Sequence, residues 1–194
     1  NTFININDGR RDRYDVYAEW EANWSPQWLT LAGVRSSTVK TDADTVQGYN
    51  PMYGADANAF NNADRSQTDR NWDLSLIARY TPDAGSTNEG GYTRKVRSPN
   101  LYERYTWSTN GMAMTMNNWV NDGNGYVGSI DLQPEVAHNF SATADWHDAT
   151  RTKWALKLTP YFSFVDNYID AVKRNGCTPD RFNYLGLANQ DARL

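Results

Sequence analysis

Residues Arg13 to Trp24 alternate in character at every step. The even positions are Tyr14, Val16, Ala18, Trp20, Ala22 and Trp24, and the odd ones are Arg13, Asp15, Tyr17, Glu19, Glu21 and Asn23. Period-2 alternation is the signature of a strand with two unlike faces. The run exceeds the mean globular strand of ~5–6 residues. It is long enough for a tilted strand to cross a bilayer, which takes ~9–11 residues. A helix would scatter Glu19, Trp20 and Trp24 over every side.

The pattern recurs. Trp28–Lys40 reads as the returning strand, although its facing is less clear because Leu29 and Leu31 lie opposite Trp28, Ala32 and Val34. Asn71–Tyr80, Gly91–Arg97, Pro134–Trp146, Lys153–Asn167 and Phe182–Leu194 complete a set of about seven strands. Pro160 is tolerable only where a ladder bond is missing or bulged. Ser25-Pro26-Gln27, residues 81–90 and residues 147–152 are short connections. Residues 41–70, 98–132 and 173–181 are longer ones, of which 41–70 reads as a polar loop without period. Alternate connections of an up-and-down sheet lie at opposite ends, so the short ones gather at one end and the long ones at the other. Transmembrane barrels have this asymmetry.

Composition points the same way. Aromatics make up 13% of the chain, with eight Trp and twelve Tyr, yet the mean hydropathy is −0.79. Aromatic girdles around a polar interior combine these properties. Trp24, Trp28, Tyr80, Trp146 and Trp154 sit at the short turns, where a headgroup-level girdle would lie. Cross-strand aromatic pairing in a soluble sheet is the plainer alternative. The fold class expected is all-β, an antiparallel up-and-down transmembrane β-barrel. Trp20, Trp24, Trp72, Leu74, Leu76, Phe140, Trp146, Trp154, Leu156 and Leu158 are expected to face lipid. Glu19, Glu21, Asp73, Arg79, Asn139, Asp145 and Lys157 are expected in a wet lumen, where replacement is cheap. A closed bacterial barrel needs an even number of strands and at least ~8, so the chain is expected to be a partial barrel segment.

Other classes recede. No run of ~18 apolar residues marks a transmembrane helix, and no signal-peptide pattern opens the chain. A net charge of −4 without a basic stripe argues against a nucleic-acid partner. A lone cysteine, Cys177, excludes an internal disulfide framework or Cys-based zinc site. It pairs outside the segment or stays a free thiol. No nucleophile–base set is recognisable, so no enzyme and no cofactor are expected.

Gly91-Tyr92-Thr93-Arg94-Lys95-Val96-Arg97-Ser98-Pro99-Asn100-Leu101-Tyr102-Glu103-Arg104-Tyr105 resembles a segment of TonB-dependent outer-membrane receptors, in which a strand ends in Arg-x-Pro-x-x-x-Glu. Gly128-Ser129-Ile130-Asp131-Leu132-Gln133-Pro134-Glu135 is similar to the family's Gly-Asn-x-x-Leu-x-Pro-Glu, with Ser129 in place of Asn. Tyr161 to Ile169 and Ala188-Asn189-Gln190-Asp191-Ala192 continue the series in family order. The resemblance implies a barrel of about 22 strands with a plugged lumen. Residues 1–194 would belong to that barrel domain, with the plug domain absent. It further implies the outer membrane of a Gram-negative bacterium, contact with its lipid, and coupling to TonB through the plug. The ligand would be a metal complex of the ferric-siderophore type, or a similarly scarce nutrient.

Arg97, Glu103 and Glu135 match the family motifs and suit a charged network at the lumen wall or loop base, where Arg can grip carboxylates bidentately. Met112-Ala113-Met114-Thr115-Met116 would, if extended, point three thioethers the same way. Soft thioethers suit Cu(I), although loop packing is the plainer reading. Segment 98–132 is expected to touch substrate through Arg104, Trp107, Met112, Met114, Met116, Trp119 and Tyr126. A metal site of the calcium type at Asp122–Tyr126 lacks ligands, and a plain turn is expected there. A soluble, aromatic-rich carbohydrate-binding module and a copper-uptake receptor remain the alternatives.

Overall fold

The computed structural model describes residues 3–48, 50–118, 120–174 and 184–193. Cys177 and Trp119 lie outside them. The elements are β1 (Arg10–Asn23), β2 (Trp28–Asp42), α1 (Gly54–Asn62), β3 (Gln67–Asp83), β4 (Ser86–Arg97), α2 (Leu101–Tyr105), α3 (Gly111–Thr115), β5 (Gly125–Val127), β6 (Glu135–His147), β7 (Ala155–Leu158), β8 (Tyr161–Lys173) and β9 (Tyr184–Arg193). They form one open sheet in the order β1-β2-β3-β4-β6-β8-β9-β5, with β7 beside β6. Every pairing is antiparallel except β5 on β9. The sheet is a partial barrel wall.

The register keeps the two faces apart. Trp20 lies opposite Ala32, then Leu76, Tyr92, Phe140 and Phe162 in successive strands. The next row is Glu19, Gly33, Ser75, Thr93, Asn139 and Ser163. A one-residue slip would exchange these rows, so the pattern fixes the pairing. Within the polar row Asn139 donates to Thr93 Oγ1 (3.2 Å) and Ser163 donates to Asn139 Oδ1 (2.6 Å). A Cβ on Gly33 would come within 2.7 Å of Ser75 Oγ, so that hydroxyl would have to turn aside to admit one.

The strand residues expected to face lipid share the first face, and those expected in the lumen share the second. The chain leaves the apolar face uncovered: Trp20, Trp24, Trp28, Trp72, Leu76, Phe140, Trp146, Trp154, Leu156 and Leu158 are all exposed. A contiguous apolar surface of this kind marks a partner or a membrane. A soluble module would have buried it.

Three expectations change. Residues 81–90 are not a turn: β3 and β4 run on to a two-residue connection, Ala84-Gly85. Low-propensity Asn88, Glu89 and Gly90 are held by ladders on both sides, and pairing outweighs propensity in a central strand. Arg79 bonds Glu89 across the hairpin at 2.8 Å. Residues 153–167 are interrupted at Thr159-Pro160, giving β7 and β8 in one register. Pro160 sits where regular pairing lapses, its carbonyl still accepting from Ala142 N–H at 3.1 Å. Residues 41–70 are no featureless loop. β2 extends to Asp42, a 3-10 turn at Pro51–Tyr53 is capped by Asn50 Oδ1 (2.9 Å to Met52 N), and α1 follows.

The core lies at the long-connection end. Ala43, Val46, Tyr53, Ala57 and Phe60 pack with Tyr105, Trp107 and Ala113. A second cluster joins Tyr126, Leu132, Ile169 and Leu187. Both long segments fold down onto the polar face of β2 and β3. Ser37, Val39, Thr41, Asp69, Asn71 and Asp73 are buried there, while Lys40, Arg70 and Trp72 between them stay exposed. Asp73 is therefore not in a wet lumen. Its carboxylate accepts from Val96 N–H (2.8 Å) and pairs with Arg35.

Candidate functional site at the outer segment

Segment 98–134 begins where β4 ends. Asn100 and Glu103 cap α2 reciprocally: Asn100 Oδ1 accepts from Glu103 N (2.9 Å) and Glu103 Oε2 from Asn100 N (2.7 Å). Both donors are amides that a helix start leaves unsatisfied. The cap aims the Glu103 carboxylate back at Arg97, whose Nη1 donates to both its oxygens at 2.9 Å. Arg97 Nε donates to Glu135 Oε2 at 2.5 Å, and Glu135 Oε1 accepts from Ile169 N–H at 2.7 Å. One guanidinium thus ties β4, α2, β6 and β8 together. The two carboxylates are nearly buried and Arg97 is half-exposed. A cleft of about 510 Å³ opens beside them, walled also by Tyr126, Tyr168 and Ile169.

Arg104 points the other way and is 2% exposed. It donates to Asp69 Oδ1 (2.8 Å), Thr41 Oγ1 (2.9 Å) and Leu132 O (3.0 Å). The neighbouring Tyr105 is wholly buried, its hydroxyl donating to Arg65 O (2.7 Å) and lying 2.9 Å from Thr41 Oγ1. Burial pushes its pKa up.

Trp107 is buried against Phe3, Tyr53 and Phe60, with ring centroids 5.2, 6.4 and 6.5 Å away. Its Nε1–H donates to Ile4 O at 3.1 Å. Asp56 of α1 accepts from Thr109 N–H (2.6 Å) and hydroxyl (2.8 Å), clamping the two long segments to each other. Asn110 then caps α3. Because α3 is helical, the three methionines do not share one direction. Met112 and Met116, one turn apart, are exposed, and Met114 is buried. Asp122 closes a turn by accepting from Asn124 N–H (2.9 Å) and from the hydroxyl of buried Tyr126 (2.5 Å). The Tyr126 bond holds the Asp122 carboxyl below its ordinary pKa.

The structure brings Arg97, Glu103 and Glu135 together, as their motifs suggested. It places Arg104, Trp107, Met114 and Tyr126 inside the packing, and leaves Met112 and Met116 on the surface. Thr41, Asp69 and Asp56 were missed. Thr41 and Asp69 continue the odd, polar positions of β2 and β3, a signal hidden by assigning both residues to a loop.

The sequence matches the family described as TonB dependent receptor-like, beta-barrel over residues 1–193. The chain belongs to the TonB-dependent receptors. Members of this family are Gram-negative outer-membrane transport receptors that bind nutrients and interact with TonB. No curated protein matches the sequence. Among solved structures the receptor fold is shared with the copper transporter OprC (TM-score 0.65, 15% identity, 96% of this chain and 24% of that one). It is also shared with the hemophore receptor HasR of Serratia marcescens, solved with its hemophore HasA and heme (0.64, 15%, 95% and 30%). The siderophore receptor PirA of Pseudomonas aeruginosa is a third (0.52, 17%, 95% and 38%). This TonB-dependent receptor chain therefore spans well under half the length of these relatives.

Proposed function

We propose that residues 1–194 form wall and outer segment of an outer-membrane receptor that takes up a metal complex, of the ferric-siderophore type, or a similarly scarce nutrient. The observation that carries this reading is the pairing of an uncovered apolar face with a long segment folded over the polar one. Lipid covers the first. The second leaves a half-enclosed surface, facing inward and outward, where a ligand is held before it enters the lumen. Arg97, Glu103 and Glu135 fix the base of that surface. Arg104, Trp107, Met114 and Tyr126 set its shape from within. A plug supplied by the rest of the receptor, pulled through TonB, then opens the path. No bond is made or broken.

The test is growth of Gram-negative cells lacking their own receptors, supplied with the full-length protein and single metal sources. Growth restored on a ferric chelate, and lost without TonB, is expected. No restoration on any chelate, heme or copper source would defeat the reading.

One observation favours copper as a second reading. Met112 and Met116 present two exposed thioethers on one side of α3, and soft sulfur suits Cu(I). Replacing both by Leu keeps the volume. Loss of Cu(I) binding supports copper, and unchanged binding leaves the chelate ahead.

A further inference from the structure

Between two ridges of large side chains, the apolar face carries one row of small ones. Thr30, Ala78, Gly90 and Ala142 lie side by side on β2, β3, β4 and β6. The next row toward the short-turn end holds Trp28, Tyr80 and Leu158. The next row toward the long-connection end holds Leu76, Tyr92 and Phe140. The row between them is a furrow. Two open hollows of about 580 and 650 Å³ meet in it over Ala78 and Gly90. A Cβ on Gly90 would meet nothing within 4 Å, so the space above the floor is free.

The walls are fixed before anything enters. Trp20 and Trp24 meet edge to face, 5.8 Å between ring centroids, and close the furrow over Ala22, the partner of Thr30. Trp24 Nε1–H donates to Thr30 Oγ1 at 2.8 Å. Trp28 stacks on Tyr80 at 4.6 Å, and Tyr92 leans on Phe140 at 4.9 Å. Rings already held by one another lose little freedom when a ligand arrives. From β2 to β6 the furrow crosses three strand spacings, about 14 Å at ~4.8 Å each. One leaflet's chains fill a similar depth, half of the ~30 Å hydrocarbon core. Among the described residues no charged side chain stands in these three rows, and Asn88, between Tyr80 and Ala144, is the amide at the rim.

We propose that this furrow retains one acyl chain of a zwitterionic phospholipid, in the leaflet at the short-turn end. The proposal rests on the membrane placement argued above. Within a bilayer the hydrophobic effect does not distinguish one apolar surface from another, so retention comes from van der Waals packing. A flat wall touches a chain on one side. The furrow touches it on three, and each added carbon contact counts. The neutral rim decides the headgroup. With no cation beside it, a lipid of net negative charge gains nothing here, whereas the Asn88 amide donates to phosphate or ester oxygens of a neutral one.

The experiment uses the full-length receptor in vesicles of equal phosphatidylethanolamine and phosphatidylglycerol, extracted in mild detergent. Bound lipid is counted by native mass spectrometry. Phosphatidylethanolamine should stay on the receptor after the annular lipid is washed away. Gly90→Leu with Ala142→Leu fills the floor and should lower that retention about tenfold, the loss of about ten carbon–carbon contacts. Gly90→Leu alone, with a smaller loss, serves if the double variant does not assemble. Val34→Leu, on the same face but outside the furrow, should change nothing. Four results would overturn the proposal while leaving the inserted barrel intact. They are equal retention by the filled variants, an equal loss in Val34→Leu, phosphatidylglycerol held as readily as phosphatidylethanolamine, and a second receptor copy lost in place of a lipid. Failure of the receptor to insert would overturn the membrane placement and the proposal with it.

Discussion

The wall and the outer segment solve opposite problems. Along β1 every residue but one is exposed, and the strand holds its shape by ladder bonds and by alternation. Its apolar side chains need a medium outside the protein. Segment 98–134 has little regular structure, yet Tyr105, Ser108, Ala113 and Met114 are essentially inaccessible. It makes its own interior from buried polar groups as much as apolar ones. The contrast teaches where stability resides: the wall depends on its solvent, and the segment on a few irreplaceable partners. A polar partner lost from the segment should hurt more than a polar residue lost from the wall, and a charge placed on the wall should hurt only on one face.

The largest effect is expected at Arg104. Arg104→Met leaves the Asp69 carboxylate buried without its cation, and breaking a buried pair in this way costs about 3–5 kcal/mol. The outer segment should become protease-sensitive in the full-length receptor while the barrel still assembles. Arg104→Lys should rescue only partly, because an ammonium cannot reach Asp69, Thr41 and Leu132 as the planar fork does. An unaltered cleavage pattern in Arg104→Met would place the segment's stability elsewhere.

The wall offers the sharper comparison of faces. Leu76→Arg should cost about 2–4 kcal/mol in reversible unfolding in lipid if this row lies near the midplane. Lys157→Ala, on the polar face, should cost far less. Asp73→Ala tests the correction made above. A wet lumen predicts almost no cost, whereas the observed bonds to Val96 and Arg35 predict about 1–3 kcal/mol from an amide left unsatisfied. Near-zero cost for Asp73→Ala would return that residue to the lumen.

What the sequence revealed follows the same divide. Arg13–Trp24 was legible because each side of the strand meets a different environment, and that difference is written at every second residue. Arg97, Glu103 and Glu135 were legible through motif spacing. Trp107 and Met114 were not, because a segment without period gives no rule for telling inside from outside. An aromatic or thioether there reads equally as ligand contact or as core. The direction of the three methionines turned on one local choice, helix over strand, made at Asn110 by its cap. Asn88 to Gly90 look like a turn because propensity is local, while the β3 and β6 ladders that straighten them are not.

The smallest effect belongs to the short-turn end, at the connection 148–154. Asp148 Oδ2 accepts from the Thr150 hydroxyl (2.5 Å), and Oδ1 from the Lys153 and Trp154 amides (2.8 and 3.1 Å). The Thr150 bond first, then the two amides, hold its carboxyl well below the usual carboxylate range. A depressed folded pKa stabilises the ionised turn above the unfolded carboxylate value of about 3.9. That contribution fades as pH falls from there through the folded value. Amide protection at Lys153 and Trp154, corrected for intrinsic exchange, should be flat from about pH 5 to 8 and drop below about pH 4. Asp148→Asn should abolish the pH dependence and leave the barrel's stability unchanged, since the carboxylate is on the surface. If protection falls instead between pH 5 and 8, another group titrates there and the Asp148 turn is not what holds this end.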